Sequence, residues 1–253
     1  MLTVIAAIAV GMQDPAAGAA NVNPSQLISR MLAYYNDART LVGTIVMTQK
    51  FGEQGGTIST SIQFEQPDKI YIRQQKSTGD RRVWQIVANG KTFAYDAPDL
   101  RTSEHSRRLV EAQVIEQKRP NGQVEELMRF NFRDVYGVGA ASLGDRSTPL
   151  DIAIGRNSDL RAIRDQWKTV VYKGTTDYNG KTVHVVMGEW RPYGNAEAEG
   201  QYRMYLTDSG ELLQFARSET VNFEGSAKAI LTTWDVKLEK NGSPDPRLFS
   251  KIQ

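Results

Sequence analysis

The eighteen residues from Gln49 to Gln66 restrict the fold more than any other part of this sequence. Lys50-Phe51 ends one strand, Gly52-Glu53-Gln54-Gly55-Gly56 supplies a turn, and Thr57 to Glu65 forms a second strand. In that second strand Ile58, Thr60, Ile62 and Phe64 share one face, while Thr57, Ser59, Ser61 and Gln63 share the other. A clean period of two, apolar on one side and wet on the other, marks a strand of an antiparallel sheet packed on one face only. The pattern recurs almost to the C-terminus, so the chain must cover a large one-sided sheet with something.

The first run of strands is expected over Val42 to Phe51, Thr57 to Glu65, Asp68 to Gln75, Arg82 to Ala88 and Lys91 to Asp96. In the later members Ile70 and Ile72 oppose Tyr71 and Arg73, Trp84 and Ile86 lie together, and Phe93 and Tyr95 follow the hairpin signal Asn89-Gly90. A second run is expected over Lys168 to Thr176, Thr182 to Trp190, Gln201 to Thr207, Glu211 to Glu219 and Ala227 to Glu239, with turns at Asp177-Tyr178-Asn179-Gly180 and Asp208-Ser209-Gly210. About ten strands joined by short turns make one sheet, and a sheet of that width curls instead of lying flat.

Helices are expected in two places. Asn23 can cap and Pro24 suits a first helical position, after which Leu27, Ile28, Met31, Leu32 and Tyr35 form one apolar stripe to about Ala38. Between the two strand runs, Leu109 to Gln117 fits a strand or a helix, Gln123 to Phe132 reads as helical, and Pro149 to Ile154 and Ser158 to Trp167 read as two more short helices. Gly137, Gly139 and Gly144 in this middle segment would let it shift.

The N-terminus reads differently. Leu2 to Met12 is apolar but shorter than the ~20 residues a bilayer requires, and Ala17-Gly18-Ala19 resembles a small-residue cleavage site. Residues 1–20 are therefore expected to be a secretory signal and residues 21–253 a single exported domain, periplasmic or in an equivalent space. No cysteine is present in the 253 residues, which excludes a disulfide framework, a thiolate metal site and a lipidated N-terminal cysteine. A formal net charge of +2 with no dense Lys/Arg block gives no reason to expect a nucleic-acid partner.

Catalytic patterns are weak. Ser103-Glu104-His105 brings hydrolase side chains together, but a triad is made by geometry and no G-x-S-x-G elbow accompanies it. A polar loop beside Arg107 and Arg108 is the reading retained. His184 sits within a strand, two isolated histidines make a poor metal site, and Asp177 and Asp208 are turn residues. Gly137-Val138-Gly139 lacks a phosphate-loop context. The expectation is a protein without enzymatic activity, cofactor or metal.

Gln66-Pro67-Asp68-Lys69-Ile70-Tyr71 followed by Val87-Ala88-Asn89-Gly90-Lys91-Thr92-Phe93-Ala94-Tyr95-Asp96 resembles the periplasmic outer-membrane lipoprotein-sorting carriers and their relatives. Tyr205 to Phe215 and the close from Trp234 to Asn241 with a later Phe249 are similar as well. The resemblance covers most of residues 21–253, and its motifs are turn and strand chemistry. It implies a mainly β protein with α: an unclosed, strongly curved antiparallel half-barrel, with an N-terminal helix and a helical lid on the concave face. The family commonly has an arginine just before that proline, which helps hold the lid closed. Gln66, which can hydrogen-bond but carries no charge, stands there in this chain.

The resemblance further implies binding of lipid or lipoprotein acyl chains, membrane-associated transfer partners and a monomeric state. Ile58, Ile62, Phe64, Ile70, Ile72, Trp84, Ile86, Phe93 and Tyr95, on the apolar faces of successive strands, are the expected lining of a lipid-sized cavity. Three functions stay open: carriage or sorting of lipid or lipoprotein, a lipid- or stress-sensing regulator of the same fold, and a structural envelope domain whose groove is filled by its own helices.

Overall fold

The computed structural model describes residues 22–250, apart from residue 53 and residues 78–81, 99–104, 112–114, 119–123, 128–130, 192–199 and 224–225. The expected signal lies outside the described residues. The chain opens on α1 (Pro24–Asn36), where the Asn23 side chain accepts a hydrogen bond from the Ser25 amide at 2.9 Å and Pro24 takes a position whose N–H would have no intrahelical partner. Its apolar stripe buries Leu27, Ile28, Met31 and Tyr35.

Eight strands follow: β1 (Thr40–Phe51), β2 (Gln54–Glu65), β3 (Lys69–Lys76), β4 (Val83–Asn89), β5 (Thr92–Pro98), β6 (His105–Glu111), β7 (Ile115–Lys118) and β8 (Val124–Leu127). Three helices come next, α2 (Phe132–Gly139), α3 (Thr148–Ile154) and α4 (Asn157–Gln166). The chain then returns to strands as β9 (Val171–Tyr178), β10 (Lys181–Trp190), β11 (Gly200–Leu206), β12 (Leu212–Phe223) and β13 (Ser226–Lys240). Eleven of the strands form one antiparallel sheet in the order β6-β5-β4-β3-β2-β1-β13-β12-β11-β10-β9. The two halves meet where β1 pairs with β13, from Leu41 opposite Lys240 to Phe51 opposite Ile230. The sheet is not closed, because β6 and β9 remain as edges. The fold is thus the one-sided sheet that the alternation called for, in the open half-barrel form with helices that the resemblance implied.

Local chemistry accounts for the hairpins. Asn89 accepts hydrogen bonds from the amides of Lys91 and Thr92 at 2.9 and 2.8 Å, fixing the β4–β5 turn. At the β9–β10 turn both Asn179 and Gly180 have positive φ, 55° and 77°, the backbone that suits the right-handed twist of a tight hairpin.

Register sorts the apolar residues into rows across the sheet. One row runs Phe64, Ile70, Ala88, Phe93 and the next Ile62, Ile72, Ile86, Tyr95. Across the junction a third row runs Met47, Trp234, Phe215, Met204, Val186. α1, α2 and α3 lie on this face, and their side chains join those of the strands in one core. On the opposite, convex face a smaller cluster forms where Phe249, from the 3-10 turn Pro246–Phe249, packs on Tyr71 and Val87.

Two expectations about the middle segment need correction. Gln123 to Phe132 is not a helix: Val124–Leu127 is a strand paired antiparallel with Ile115–Lys118, and the helix begins only at Phe132. The reason for that start is Asn131, whose side chain accepts from the amides of Arg133 and Asp134. The ambiguous Leu109 to Gln117 contributes to two strands, β6 in the large sheet and β7 in the small one. The glycines also serve close packing more than freedom to shift. A Cβ at Gly139 would come within 2.8 Å of Ile86, and one at Gly144 within 2.7 Å of the Trp84 ring.

Candidate functional site

Six of the nine expected lining residues are brought together by the structure. Ile62, Phe64, Ile70, Ile72, Ile86 and Phe93 belong to the main core and are at most 3% exposed. Tyr95 packs at its margin, with its ring 5.8 Å from that of Phe93. Ile58 and Trp84 are buried but outside the main core, nearer the tip of the β1–β2 hairpin. On these rows rest the helices: Phe132 of α2 stacks on Phe64, Gly139 sits against Ile86, and Leu150, Ile152, Ala153 and Ile154 of α3 are all buried in the same core. The floor of the half-barrel is therefore in contact with side chains of its own helical layer.

A polar group interrupts the apolar floor. Thr60 and Gln74 face each other across β2 and β3, and both are fully buried. The Gln74 amide donates to Thr60 Oγ1 at 3.1 Å and to the carbonyl of Asp145 at 2.7 Å, and its own carbonyl accepts from the Asp145 amide at 3.0 Å. The Asp145 carboxylate in turn accepts from the Trp234 indole N–H at 3.0 Å. Burial pushes the Asp145 carboxyl up to about 6, against the opposing pull of the Trp234 hydrogen bond and of Arg217. The Arg217 guanidinium lies 4.2 Å from the Trp190 ring centre and 5.6 Å from that of Trp234, with Glu219 at 3.8 Å. Sequence reading missed this group. A signal did exist: Thr60 and Gln74 are the polar residues in the otherwise apolar series Ile58, Ile62, Phe64 and Ile70, Ile72.

The helical layer is wired within itself by charge. Tyr136 of α2 donates to Asp151 of α3 at 2.7 Å, Arg146 bridges Asp151 and Asp159 of α4, and Arg133 donates to the Gly155 carbonyl. Its bonds to the sheet lie at its two ends and at one place between them, among the described residues. The layer starts with the Phe132 amide on the Pro67 carbonyl and finishes with backbone bonds joining Gln166 and Lys168 to Arg191 and Glu189. Between those ends, among the described residues, the hydrogen bonds from layer to sheet all converge on Asp145. At the other side of the Pro67 turn, Gln66 donates to the Ala38 carbonyl just beyond α1 at 2.8 Å. The uncharged Gln66 thus ties the exit of the first helix, while the next residue holds the second.

Candidate catalytic positions come out as follows. His184 lies between the Tyr172 hydroxyl and the Asp208 carboxylate at the edge of the sheet. His105 falls in β6, while Ser103 and Glu104 lie outside the described residues. Among the described residues no three His, Asp or Glu side chains gather as a metal ion would require, and no helix is long and apolar enough to cross a membrane.

Fold and site together define a class: an open, one-sided antiparallel half-barrel with a helical cover on its concave apolar face. No protein-family model matches the sequence, and no curated protein matches it. Among solved structures it is similar to the Mycobacterium tuberculosis lipoprotein LppX, at 9% identity over 85% of this chain and 95% of LppX, with a TM-score of 0.40. It is similar to MucB at 12% identity over 90% of this chain and 62% of MucB, with a TM-score of 0.41. A LolA-superfamily protein from Nitrosomonas europaea is similar at 8% identity over 91% of this chain and 98% of its own, with a TM-score of 0.29. At these scores the likenesses assign neither residues nor ligand to this chain.

Proposed function

We propose that this chain binds the acyl chains of a lipid or lipoprotein on its concave face, beneath the helical layer, and acts in carriage or sorting within the cell envelope. One observation carries the reading: the rows Phe64–Ile70–Phe93 and Ile62–Ile72–Ile86–Tyr95 make a continuous apolar floor, covered by short helices that are tied to it, between their ends, at Asp145 alone among the described residues. Such a cover can yield to a ligand without breaking a hydrogen-bonded ladder. Each acyl methylene that replaces a helix contact stays out of water, worth about 0.8 kcal/mol, so a chain of a dozen carbons competes with the apolar contacts it displaces. Ile58, Ile62, Phe64, Ile70, Ile72, Trp84, Ile86, Phe93 and Tyr95 are the proposed contact residues, and no chemical step is asked of them.

Mass spectrometry of organic extracts from the natively purified protein is the deciding experiment. Stoichiometric long-chain lipid is the expected result, and protein free of lipid that also fails to take up a fluorescent acyl probe would sink the proposal. Export belongs to the same reading. N-terminal sequencing of protein recovered from the cell envelope should give a start near Ala20 or Asn21, and an intact Met1 in cytosolic protein would refute it.

A further inference from the structure

Five residues, Leu143 to Ser147, join the 3-10 turn Ala140–Ser142 to α3 and cross the concave face as a strap. The strap is held from three directions. From β3, the Gln74 side chain pairs with both the N–H and the C=O of Asp145, as a neighbouring strand would. From β13, the Trp234 indole reaches the Asp145 carboxylate. From β4, the Trp84 ring lies so close over Gly144 that a side chain there would collide with it. Gln74 is fully buried and spends its amide on this contact and on Thr60, so lifting the strap would leave it without the Asp145 partners in an apolar surround.

We propose that this strap is a latch closing the helical layer over the sheet, and that proton uptake at Asp145 tightens it. The proposal rests on the reading of the helices as a movable cover. The charged groups around Asp145 come from three elements. Arg217 of β12 favours its carboxylate, Asp151 of α3 opposes it, and Arg146 on the strap itself turns away to Asp151 and Asp159. Glu219 stands beyond Arg217. Burial outweighs the attraction of Arg217, and the closed strap holds the carboxyl at about 6. Freed into water, the same group returns to its ordinary value of 3.8. The closed form therefore binds a proton more tightly than the open form, and acid favours closure. With those two values the opening equilibrium rises about tenfold between pH 5 and pH 7.5.

Hydrogen exchange of the ligand-free full chain, with protection factors corrected for intrinsic rates, tests this directly. The expected result is that protection of the Asp145 amide falls about tenfold from pH 5 to pH 7.5 while β3 amides stay protected. In Asp145→Asn, which still offers an oxygen to Trp234, the pH response should vanish. In Gln74→Ala protection should be low at both pH values, with urea unfolding run alongside to show that the variant is folded. Equal wild-type protection at the two pH values overturns the latch, as does an unchanged pH response in Asp145→Asn or joint loss of protection by strap and β3. Exchange is read without any lipid, so a failed latch and a failed acyl-binding reading are told apart: only the extraction and probe experiments bear on the second.

Discussion

Phe132 lies flat on Phe64, with ring centres 4.5 Å apart and planes 16° from parallel, so that the first turn of α2 is seated on the floor of β2. The contact is the aromatic anchor of the helical layer, and it sits one residue beyond the Asn131 cap that starts the helix.

Removing that anchor should loosen the cover. Phe132→Ala is expected to cost about 3–5 kcal/mol of stability, as for other buried phenylalanines, read as a lower urea midpoint with an unchanged slope. If the helices are the gate, the same variant should also take up an acyl probe faster than wild type in stopped-flow fluorescence. Slower or equal uptake would place the entry elsewhere.

Trp84 separates binding from folding. Trp84→Leu keeps an apolar side chain but removes ring area at the border of the floor, and probe affinity should drop about tenfold, equivalent to ~1.4 kcal/mol. Ile62→Lys or Ile72→Lys should abolish binding but also lower stability by several kcal/mol through a buried charge, so each must be read against its melting curve. Unchanged probe affinity in Trp84→Leu, with wild-type tryptophan fluorescence indifferent to lipid, would favour a core permanently filled by its own helices.

Tyr35 tests how α1 is attached. Its hydroxyl accepts from the Leu212 amide at 3.1 Å and donates to the Leu212 carbonyl at 3.4 Å, in buried surroundings. Tyr35→Phe leaves both backbone groups without this partner, at a cost of about 1–3 kcal/mol. A lower Tm and earlier proteolysis within residues 22–36 are the expected signs.

Asp145 should also appear in the pH dependence of global stability. The folded chain holds its carboxyl at about 6, and an unfolded chain has it at the ordinary 3.8. Within that window the folded state carries the extra proton, so this group's contribution falls as the pH rises from 4 and levels off above about 7. Relative to Asp145→Asn, wild type should lose on the order of 2–3 kcal/mol across the window, measured by urea unfolding at matched pH values. A constant difference between the two proteins would contradict the assignment.

Much of the sheet was legible because each strand states its own faces. Ile62 and Ile72 alternate with polar neighbours and prove to be opposite one another in the ladder, and Asn89-Gly90 and Asn179-Gly180 name their turns, the first by the Asn89 side chain and Gly90, the second by two residues that accept positive φ. Residues 123–132 were less readable. Leu127, Met128 and Phe130 fit a helical stripe as well as a strand, and the choice at Val124–Leu127 is settled by pairing with Ile115–Lys118, which local pattern cannot see. Asp145 lay further still from view. Its partners Gln74 and Trp234 are 71 and 89 residues away, and a lone Asp between Gly144 and Arg146 reads as an ordinary loop residue until the fold brings them together.

Phe249 closes over Tyr71 and Val87 on the convex side of the same two strands that carry Ile72 and Ile86 on the concave side. β3 and β4 are thus gripped from behind by the chain's own C-terminal turn. Independently of the helices in front, this part of the sheet is braced from behind, in the way a bow keeps its bend while its string is drawn. If the concave face takes the acyl chain proposed above, its shape is braced in part from the far side of the wall, at a residue that chain would not touch.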